Sequence, residues 1–522
     1  MPDCLAPPPR DSRTKIVATV GPACDSEDKL AELITAGVDV FRLNMAHADH
    51  CQQDIRLAMI RRAAARVGRT VAVLVDLAGP KMRLGTLPAG QLLCQRGDRV
   101  RFVRGEAADA SATNASATAA QASNGVAVPT TATTPDLTTT YEPLIDELSP
   151  GDRVMLADGT VSLVVEQVDK DSAVCRVIQS GLIRSRQGVN LPGVKLSVAA
   201  MSDLDRENAV WAAKNDIDFV GLSFVRRAED VRELKALLMA STNDPTSGGP
   251  QVIAKIEKPE ALDALTAIVA AADGVMVARG DLGVETDIAQ VAVVQKRIIA
   301  ECHRQRKPVI IATQMLDSMQ HSRIPTRAEV ADVSNAILDG ADACMLSGET
   351  AVGEYPRETV EMMNRIALAA EPLCSHRAEE ANSFCGSRES NKTGCSTAAN
   401  SLNPITEAVV CQAGLLAERL DARLIIVASA SGATALSLAK NRFRVPTVGV
   451  SDSAATLRQM CLYWGVIPLA SAPVNDSRTL VAFVRDWGKQ NCLLSSGDRI
   501  VLIAGTGTSV SKHNMIVVNE VE

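Results

Sequence analysis

The segment IAKIEKPEA, residues 253–261, places an ammonium and a carboxylate two positions apart in an otherwise apolar run. Because the side chains of a β-strand alternate between its two faces, Lys255 and Glu257 should point to the same side. A buried strand face accepts charges mainly when they are paired or bind a metal. The spacing therefore predicts either a catalytic cation beside a metal-binding carboxylate or a structural ion pair.

The segment ARGDLG, residues 278–283, adds a second carboxylate, Asp281, directly after Gly280. A glycine lets a ligand approach the backbone closely. Mg²⁺ is commonly held in proteins by one or two carboxylates, while waters and substrate oxygens complete its shell. Glu257 and Asp281 are therefore the predicted ligands of Mg²⁺ or Mn²⁺.

Eight apolar segments could form the buried strands that position these side chains, and helical periodicity follows most of them. Such alternation predicts a parallel sheet covered by helices. Eight units favour a closed (β/α)8 barrel, and an open doubly wound sheet is the alternative.

In a (β/α)8 barrel the active site lies at the C-terminal ends of the strands. The polar residues that the sequence places there are Arg42, Asn44, Asp76, Lys81, Arg83, Ser223, Lys255, Glu257, Arg279, Gly280, Asp281, Thr313, Gln314, Ser347 and Glu349. Each one alone could be a solvated strand end. Together, cations mixed with carboxylates suit an anionic substrate and a hard divalent metal.

Breaks in the alternation predict the domain boundaries. After Pro80 the pattern changes to short strands and turns, and helical periodicity returns near residue 203. An Ala/Ser/Thr-rich run within this region predicts a surface excursion without chemistry. The predicted units are a tail (1–12), the barrel (13–80 and 194–372), an inserted small β-barrel lid (81–193), a polar linker (373–400) and an α/β domain (401–522).

Composition excludes several classes of protein. The formal net charge of −7 argues against a nucleic-acid-binding surface spread over the molecule. No segment reaches the roughly 18 apolar residues of a membrane helix, and the N-terminal segment lacks the apolar core of a signal peptide. The 13 cysteines include no CxxC pair, which predicts reduced thiols in a cytoplasmic protein. No GxxxxGK[ST] segment occurs, so a P-loop is excluded.

Several segments resemble, in order, those of the pyruvate kinase family. They include TKIVATVGPA, GVNLPG, IAKIEKPEA, GVMVARGDLGVE, KPVIIATQMLDSM and MLSGETAVGEYP, and the resemblance spans essentially the whole chain. It implies phosphoryl transfer from phosphoenolpyruvate to ADP in glycolysis, giving pyruvate and ATP. It also implies the family's usual homotetramer and its architecture of barrel, inserted β domain and C-terminal α/β domain.

The resemblance also implies a role for each matching site residue. Lys255 and Arg42 offset the charge of the transferring phosphoryl group, and Arg83 lies near the nucleotide phosphates. The backbone amides of Gly280 and Asp281, with Thr313, receive the substrate carboxylate. The catalytic set is Lys255, Arg42, Arg83 and Thr313; the substrate-binding set is Arg42, Lys255, Gly280, Asp281, Thr313, Ser347 and Glu349; the nucleotide-binding set is Asn44, His47, Arg83 and Arg186.

One departure from the family lies beside the nucleotide contacts. Gln187 stands where a lysine usually reaches the nucleotide, and Arg186 is its predicted substitute.

A second departure lies at the monovalent-cation site that the resemblance implies. Many members hold K⁺ with Asn, Ser, Asp and Thr; here Asn44 and Asp76 remain, but Ala46 and Leu77 supply no oxygen. Lys81 stands where K⁺-requiring members carry Glu. We predict that the Lys81 ammonium pairs with Asp76 and replaces K⁺, so that K⁺ is not required. The alternative is that Lys81 points to solvent at a domain hinge.

The segment ASASGATALSLAKN resembles the family's effector loop, although Ala430 stands where the family has a basic residue. Ser429, Ser431, Gly432 and Thr434 precede or begin a helix, a setting that suits a phosphate. The loop predicts a phosphorylated sugar as effector, and an ordinary capped turn is the alternative.

Two other functions compete with phosphoryl transfer. A metal-dependent aldolase acting on a pyruvate enolate would also place Glu and Asp at barrel strand ends. It would need neither an inserted lid nor a lysine at a phosphoryl position. The second competing function is that of an effector-binding relative without catalytic activity. The chain argues against it because it keeps the complete set of Arg42, Lys255, Glu257, Asp281 and Thr313.

Overall fold

The structure is a computed structural model that describes residues 12–46, 49–87, 89–105, 134–157, 159–194, 197, 199–243, 249–376, 402–474, 476–505 and 513–522. Strands are numbered β1–β21 and helices α1–α16 in chain order. The predicted Ala/Ser/Thr-rich excursion and the polar linker lie mostly outside the described residues.

Eight parallel strands close into a barrel with the neighbour order β1-β16-β15-β14-β13-β12-β3-β2. They are β1 (Lys15–Thr19), β2 (Val40–Asn44), β3 (Ala72–Asp76), β12 (Phe219–Leu222), β13 (Gln251–Ile256), β14 (Gly274–Ala278), β15 (Val309–Ala312) and β16 (Ala343–Leu346). Most of their residues are buried on both faces, as expected for a parallel sheet that helices cover. The predicted (β/α)8 barrel is confirmed.

Helices surround the barrel, and short 3-10 turns lie between some of them. They are α1 (Glu27–Ala36), α2 (His50–Val67), α4 (Asp203–Lys214), α5 (Ala228–Ser241), α6 (Glu260–Asp263), α7 (Leu265–Ala271), α8 (Arg279–Glu285), α9 (Val291–Arg304), α10 (Arg327–Asp339), α11 (Gly348–Ala351) and α12 (Pro356–Ala370). Capping boxes at Ser202 and Thr326 begin α4 and α10, and Gly340 ends α10 in the left-handed conformation.

The inserted region between β3 and α4 is built of short strands around a core of its own. Its elements are β4 (Gln91–Cys94), β5 (Arg99–Val103), β6 (Asp136–Leu137), α3 (Leu144–Glu147), β7 (Arg153–Leu156), β8 (Val161–Val168), β9 (Ser172–Gln179), β10 (Gly181–Arg184) and β11 (Val189–Asn190). Among the described residues they form a six-stranded sheet and a two-stranded sheet, without the hydrogen-bonded closure of the predicted small barrel.

The C-terminal α/β domain has a five-stranded sheet in the order β19-β18-β17-β20-β21, whose last pair is antiparallel. Its elements are α13 (Pro404–Arg419), β17 (Leu424–Ala428), α14 (Ala433–Asn441), β18 (Thr447–Val450), α15 (Ala454–Met460), β19 (Val466–Pro468), α16 (Ser477–Gln490), β20 (Arg499–Ala504) and β21 (Met515–Glu520). The short β19 and the antiparallel β21 are absent from the sequence-based prediction.

Four aspartates lie at the N-terminal end of the barrel, immediately before β2, β12, β14 and β16; three of them are buried and Asp273 is half-buried. Each carboxylate accepts a hydrogen bond from a backbone amide at the start of the preceding strand of the ring, at 2.8 or 2.9 Å. The pairs are Asp39 with Ile16, Asp218 with Val73, Asp273 with Val252, and Asp342 with Val309. A buried amide that would otherwise lack a partner is thereby satisfied at each position.

Two of these aspartates also bind the C-terminal domain. Asp342 pairs with Lys440 and with Arg442, at 3.0 Å for the latter, and Asp218 pairs with Arg458 at 2.5 Å. Burial opposes charge on Asp342, but the two cations hold the pKa of its carboxyl below the usual range. The same carboxylates therefore order the barrel strands and attach the second domain.

The described helices include no segment both long enough and apolar enough to span a membrane.

Candidate active site

Asp76, the last residue of β3, contacts two cations at the C-terminal end of the barrel. Its Oδ2 receives Arg42 Nε at 2.7 Å and lies 2.6 Å from Arg42 Nη2. Its Oδ1 lies 3.1 Å from Lys255 Nζ. Burial opposes the charged form, but Lys255 and Arg42 hold the pKa of Asp76 below its usual range. Asp76 is therefore an anion that orients two cations.

Lys255 lies in the barrel interior and is 8 % exposed. Besides Asp76, its Nζ contacts Glu257 Oε1 at 3.0 Å and donates to Ser223 Oγ at 2.7 Å. The Ser223 hydroxyl in turn donates to the backbone carbonyl of Leu77 at 2.7 Å. Burial lowers the pKa of Lys255, but the two carboxylates outweigh it and the pKa is raised. The side chain is thus a fixed, permanently charged cation.

Glu257 and Asp281 bring two carboxylates to the same region. Glu257 is buried, and its Oε2 accepts the backbone amide of Phe224 at 2.7 Å. Burial raises the pKa of Glu257; Lys255 opposes this shift and Asp281 adds to it. The structure places Asp281 in the first turn of α8, directly after β14. The mutual repulsion of the two carboxylates is what a divalent cation between them would relieve.

Gly280 and Thr313 are joined across β14 and β15. The Gly280 amide donates to Thr313 Oγ1 at 2.7 Å, and the Thr313 hydroxyl donates to the Ala312 carbonyl at 2.6 Å. Thr313 adopts a left-handed backbone conformation, φ 70°, which is strained for a β-branched residue. Arg279 holds it there by donating to the Thr313 carbonyl at 3.0 Å while pairing with Asp332 at 2.7 Å. Such local strain is common at functional sites.

Ser347 and Glu349 follow β16, but Glu349 is largely engaged by the backbone. Its two oxygens accept the amides of Leu316 at 3.1 Å and Ser347 at 2.6 Å. Burial raises the pKa of Glu349 despite these bonds. The Ser347 hydroxyl is buried without a hydrogen-bond partner among the described residues.

The two arginines predicted for the nucleotide lie together on the inserted region. Arg83 Nη1 donates to the backbone carbonyl of Arg186 at 3.3 Å, and Arg186 is exposed with φ 64°. Gln187 accepts the Arg184 amide at 2.6 Å. Asn44 ends β2 beside Asp76 and accepts the Ala46 amide at 3.1 Å. His47 lies outside the described residues.

The predicted ion pair between Lys81 and Asp76 is not formed. Within the described chain, only Lys255 and Arg42 place a cation within 4 Å of the Asp76 carboxylate. Lys81 is exposed at the hinge after Pro80 and lines a cavity there. The reason is that the buried end of β3 is already neutralised, so a hinge lysine gains nothing by being desolvated.

The predicted effector loop joins β17 to α14. Gly432 takes a left-handed conformation, φ 77°, Ser431 is exposed, and Ser429 is buried. The buried Thr434 hydroxyl lies 3.3 Å from His513 Nδ1.

Sequence reasoning missed two contributors to the site. Thr19 at the end of β1 accepts from Arg42 Nη1 at 3.1 Å and donates to the Leu346 carbonyl at 2.9 Å. Phe224, with φ 54°, supplies the amide that fixes Glu257. Thr19 gave a signal, since it ends an apolar strand; the backbone contribution of Phe224 gave none.

A (β/α)8 barrel with an inserted β region, buried cations and two carboxylates at its strand ends defines a barrel enzyme suited to an anionic substrate. Comparison with known proteins narrows this class. The family model "Pyruvate kinase, barrel domain" matches residues 11–360, and "Pyruvate kinase, alpha/beta domain" matches residues 407–519. The chain therefore belongs to the pyruvate kinase family, and the resemblance of its motifs is confirmed.

Individual relatives agree with this result. A pyruvate kinase of Geobacillus stearothermophilus is 39 % identical over 496 residues, covering 94 % of this chain and 77 % of the relative. One of Corynebacterium glutamicum is 37 % identical over 515 residues, covering 98 % of each chain. A crystal structure of a pyruvate kinase from Cryptosporidium parvum matches with a TM-score of 0.83 and 31 % identity, covering 98 % of this chain and 97 % of that chain.

Proposed function

We propose that the enzyme transfers the phosphoryl group of phosphoenolpyruvate to ADP with the help of Mg²⁺ or Mn²⁺, as the ATP-forming step of glycolysis. The observation that carries this proposal is the buried Lys255 ammonium, held between Asp76 and Glu257 at the barrel mouth. Phosphoryl transfer depends chiefly on positioning and on cations that offset developing charge. Lys255 and Arg42 meet that need because Asp76 fixes both.

Glu257 and Asp281 would hold the divalent cation. Two carboxylates, with substrate oxygens and water, form a set that suits Mg²⁺, and their mutual repulsion favours a bound cation. When bound, the cation supplies charge neutralisation at the transferring phosphoryl group.

The other site residues would bind and orient the substrate. The Asp281 amide lies in the first turn of α8 and would donate to the substrate carboxylate. Thr313 lies beside Gly280 and holds a hydroxyl proton, which its hydrogen bond to the Ala312 carbonyl orients. We propose that this hydroxyl adjoins the carbon that is protonated when pyruvate forms. Arg83 and Arg186 on the inserted region would contact the nucleotide phosphates.

A steady-state assay with phosphoenolpyruvate, ADP and Mg²⁺ tests the proposed function. ATP and pyruvate should form in equal amounts. An aldolase acting on a pyruvate enolate would form no ATP and would consume pyruvate only when an aldehyde is added.

Three further proposals accompany the reaction. Most of the described cysteines are buried in the protein interior, which supports a cytoplasmic location. The family's homotetramer is proposed for the assembly. We also propose 13–80 and 194–372, 81–193 and 401–522 as the units of the chain, because each contains separate sheets.

We predict that the enzyme does not require K⁺. Leu77 and Ala46 supply no side-chain oxygen, and both oxygens of Asp76 already lie against cations. A further cation at Asp76 would therefore be repelled. Activity in a tetramethylammonium buffer free of K⁺ should lie within about twofold of that in K⁺, a barrier difference below about 0.5 kcal/mol.

Lys81 lies in the hinge cavity and not at Asp76, so Lys81→Glu should leave the ratio of activity with and without K⁺ unchanged. Lys170→Glu, an exposed charge reversal elsewhere on the inserted region, is the matched control and should give the same ratio. A wild-type enzyme that is nearly inactive until K⁺ is added would refute the proposal.

We also predict a phosphorylated sugar effector at the loop from Ser429 to Thr434. Gly432→Asp should abolish activation by any sugar phosphate that activates the wild type, because the new carboxylate repels the phosphate. Gly432→Asn has nearly the same shape, tolerates the left-handed conformation and adds no charge, so it should retain activation. Activation that survives Gly432→Asp unaltered would place the effector elsewhere.

A further inference from the structure

A buried polar cluster at the hinge joins the inserted region to the barrel. Glu285, the last residue of α8, is 5 % exposed. Its Oε1 receives Lys258 Nζ at 2.8 Å and Asn190 Nδ2 at 3.2 Å. Asn190 belongs to β11 of the inserted region, and Lys258 directly follows Glu257. One carboxylate oxygen therefore connects three segments that meet at the active site.

Helix α8 links Glu285 to the predicted substrate-binding residues. Helix α8 spans two turns, with Gly280 and Asp281 in its first turn and Glu285 at its end. Because hydrogen bonds within the helix link its two turns, a displacement at Glu285 should displace Gly280 and Asp281 as well. Lys258 transmits the same displacement toward Glu257, its neighbour in the chain.

The second oxygen of Glu285 distinguishes the cluster from a static ion pair. Among the described residues Glu285 Oε2 is buried without a hydrogen-bond partner, a costly state for a carboxylate. Glu285 lines the hinge cavity together with Lys81 and Arg226, whose side chains carry N–H donors. The carboxylate can thus exchange donors as the inserted region moves, with Oε2 accepting from a cavity cation when Asn190 is withdrawn from Oε1.

We propose that Glu285 is a positioning residue that couples the placement of the inserted region, through Asn190, to the placement of Gly280 and Asp281 on α8. The proposal rests on the proposed phosphoryl transfer only for its kinetic readout. The coupling itself concerns the position of a helix and is measurable without turnover.

Asn190→Ala tests this coupling in the full-length enzyme. The apparent Mg²⁺ activation constant and the KM for ADP should each rise about tenfold, a change of about 1.4 kcal/mol, while the KM for phosphoenolpyruvate changes less than about twofold. Amide hydrogen exchange of residues 279–285 should accelerate about fivefold or more without added substrate. Gln167→Ala is the control, since the Gln167 side chain bonds Asp169 within the inserted region and should change none of these values.

A double-mutant cycle separates coupling from two independent effects. Asn190→Ala should add no further change to Glu285→Ala, because both remove the same contact. Additive effects would overturn the proposal, and so would unchanged exchange of residues 279–285 in Asn190→Ala. If the wild type formed no ATP, the proposed function would fail, whereas the exchange experiment would still decide the coupling.

Discussion

Replacing Lys255 by methionine should reduce kcat for ATP formation by about 10² to 10³, equivalent to about 3 to 4 kcal/mol of barrier. Methionine keeps the length and apolar stem of the side chain but removes a cation held by Asp76, Glu257 and Ser223. In a buried site of low dielectric constant the lost charge matters more than it would in water. A coupled assay of pyruvate formation measures the effect, with thermal unfolding of the same sample as the test of folding.

The matched control is Lys235→Met, which also removes a lysine from an ion pair with an aspartate. Lys235 pairs with Asp273 at 2.7 Å, at the opposite end of the barrel strands. Its loss should affect stability and leave kcat unchanged. Should Lys255→Met retain more than half of wild-type turnover, Lys255 would not be the catalytic cation.

The second large effect is expected for the two carboxylates. Glu257→Gln and Asp281→Asn should each raise the Mg²⁺ concentration for half-maximal activity by at least about tenfold, or about 1.4 kcal/mol of binding. Each change keeps the size of the side chain and removes one formal charge from a site that would hold the metal with two. Titration of activity with Mg²⁺, and calorimetric titration of Mn²⁺ into the same variants, measure the loss.

Asp28→Asn, a change of charge on the exposed surface of α1, serves as the control and should leave both titrations unchanged. Superimposable titrations of the wild type and the Glu257 and Asp281 variants would show that these residues are not the ligands. Calorimetry measures Mn²⁺ binding directly, so it still tests whether these residues are ligands if a variant loses turnover for another reason.

The local pattern was enough to predict the shared face of Lys255 and Glu257, because strand alternation is a short-range property. Their 3.0 Å contact agrees with it. The third partner, Asp76, lies about 180 residues away on β3, and only barrel closure and strand register bring its carboxylate to Lys255. Sequence patterns contain the strands but not the distances that their closure creates.

The predicted ion pair between Lys81 and Asp76 was wrong for a different reason. The position of Lys81 in the motif suggested a pair with Asp76, yet the hinge turns its side chain into a separate cavity. A turn conformation and the competition of Arg42 and Lys255 for one carboxylate decide this outcome. The hydrogen bonds that Glu349 accepts from the amides of Leu316 and Ser347 were also not predictable, because they depend on how two strand-end loops pack.

The four strand-start aspartates were detectable, because each stands directly before an apolar strand, as in VDVF and ADACML. Their partners were not predictable, because the strand register decides which backbone amide each carboxylate accepts. A repeated acid before every second strand is a useful sign of amide capping in such barrels.

These aspartates have a mechanical consequence. At the N-terminal end their side chains fasten the strands in the pairs β1–β2, β3–β12, β13–β14 and β15–β16. At the catalytic end, side-chain bonds cross the four junctions that remain: Arg42 to Asp76, Lys255 to Ser223, Gly280 to Thr313, and Thr19 to Leu346. The two ends of the barrel therefore connect alternate pairs of strands. Any two neighbouring strands can separate only if a side-chain hydrogen bond breaks at one end of the barrel or the other.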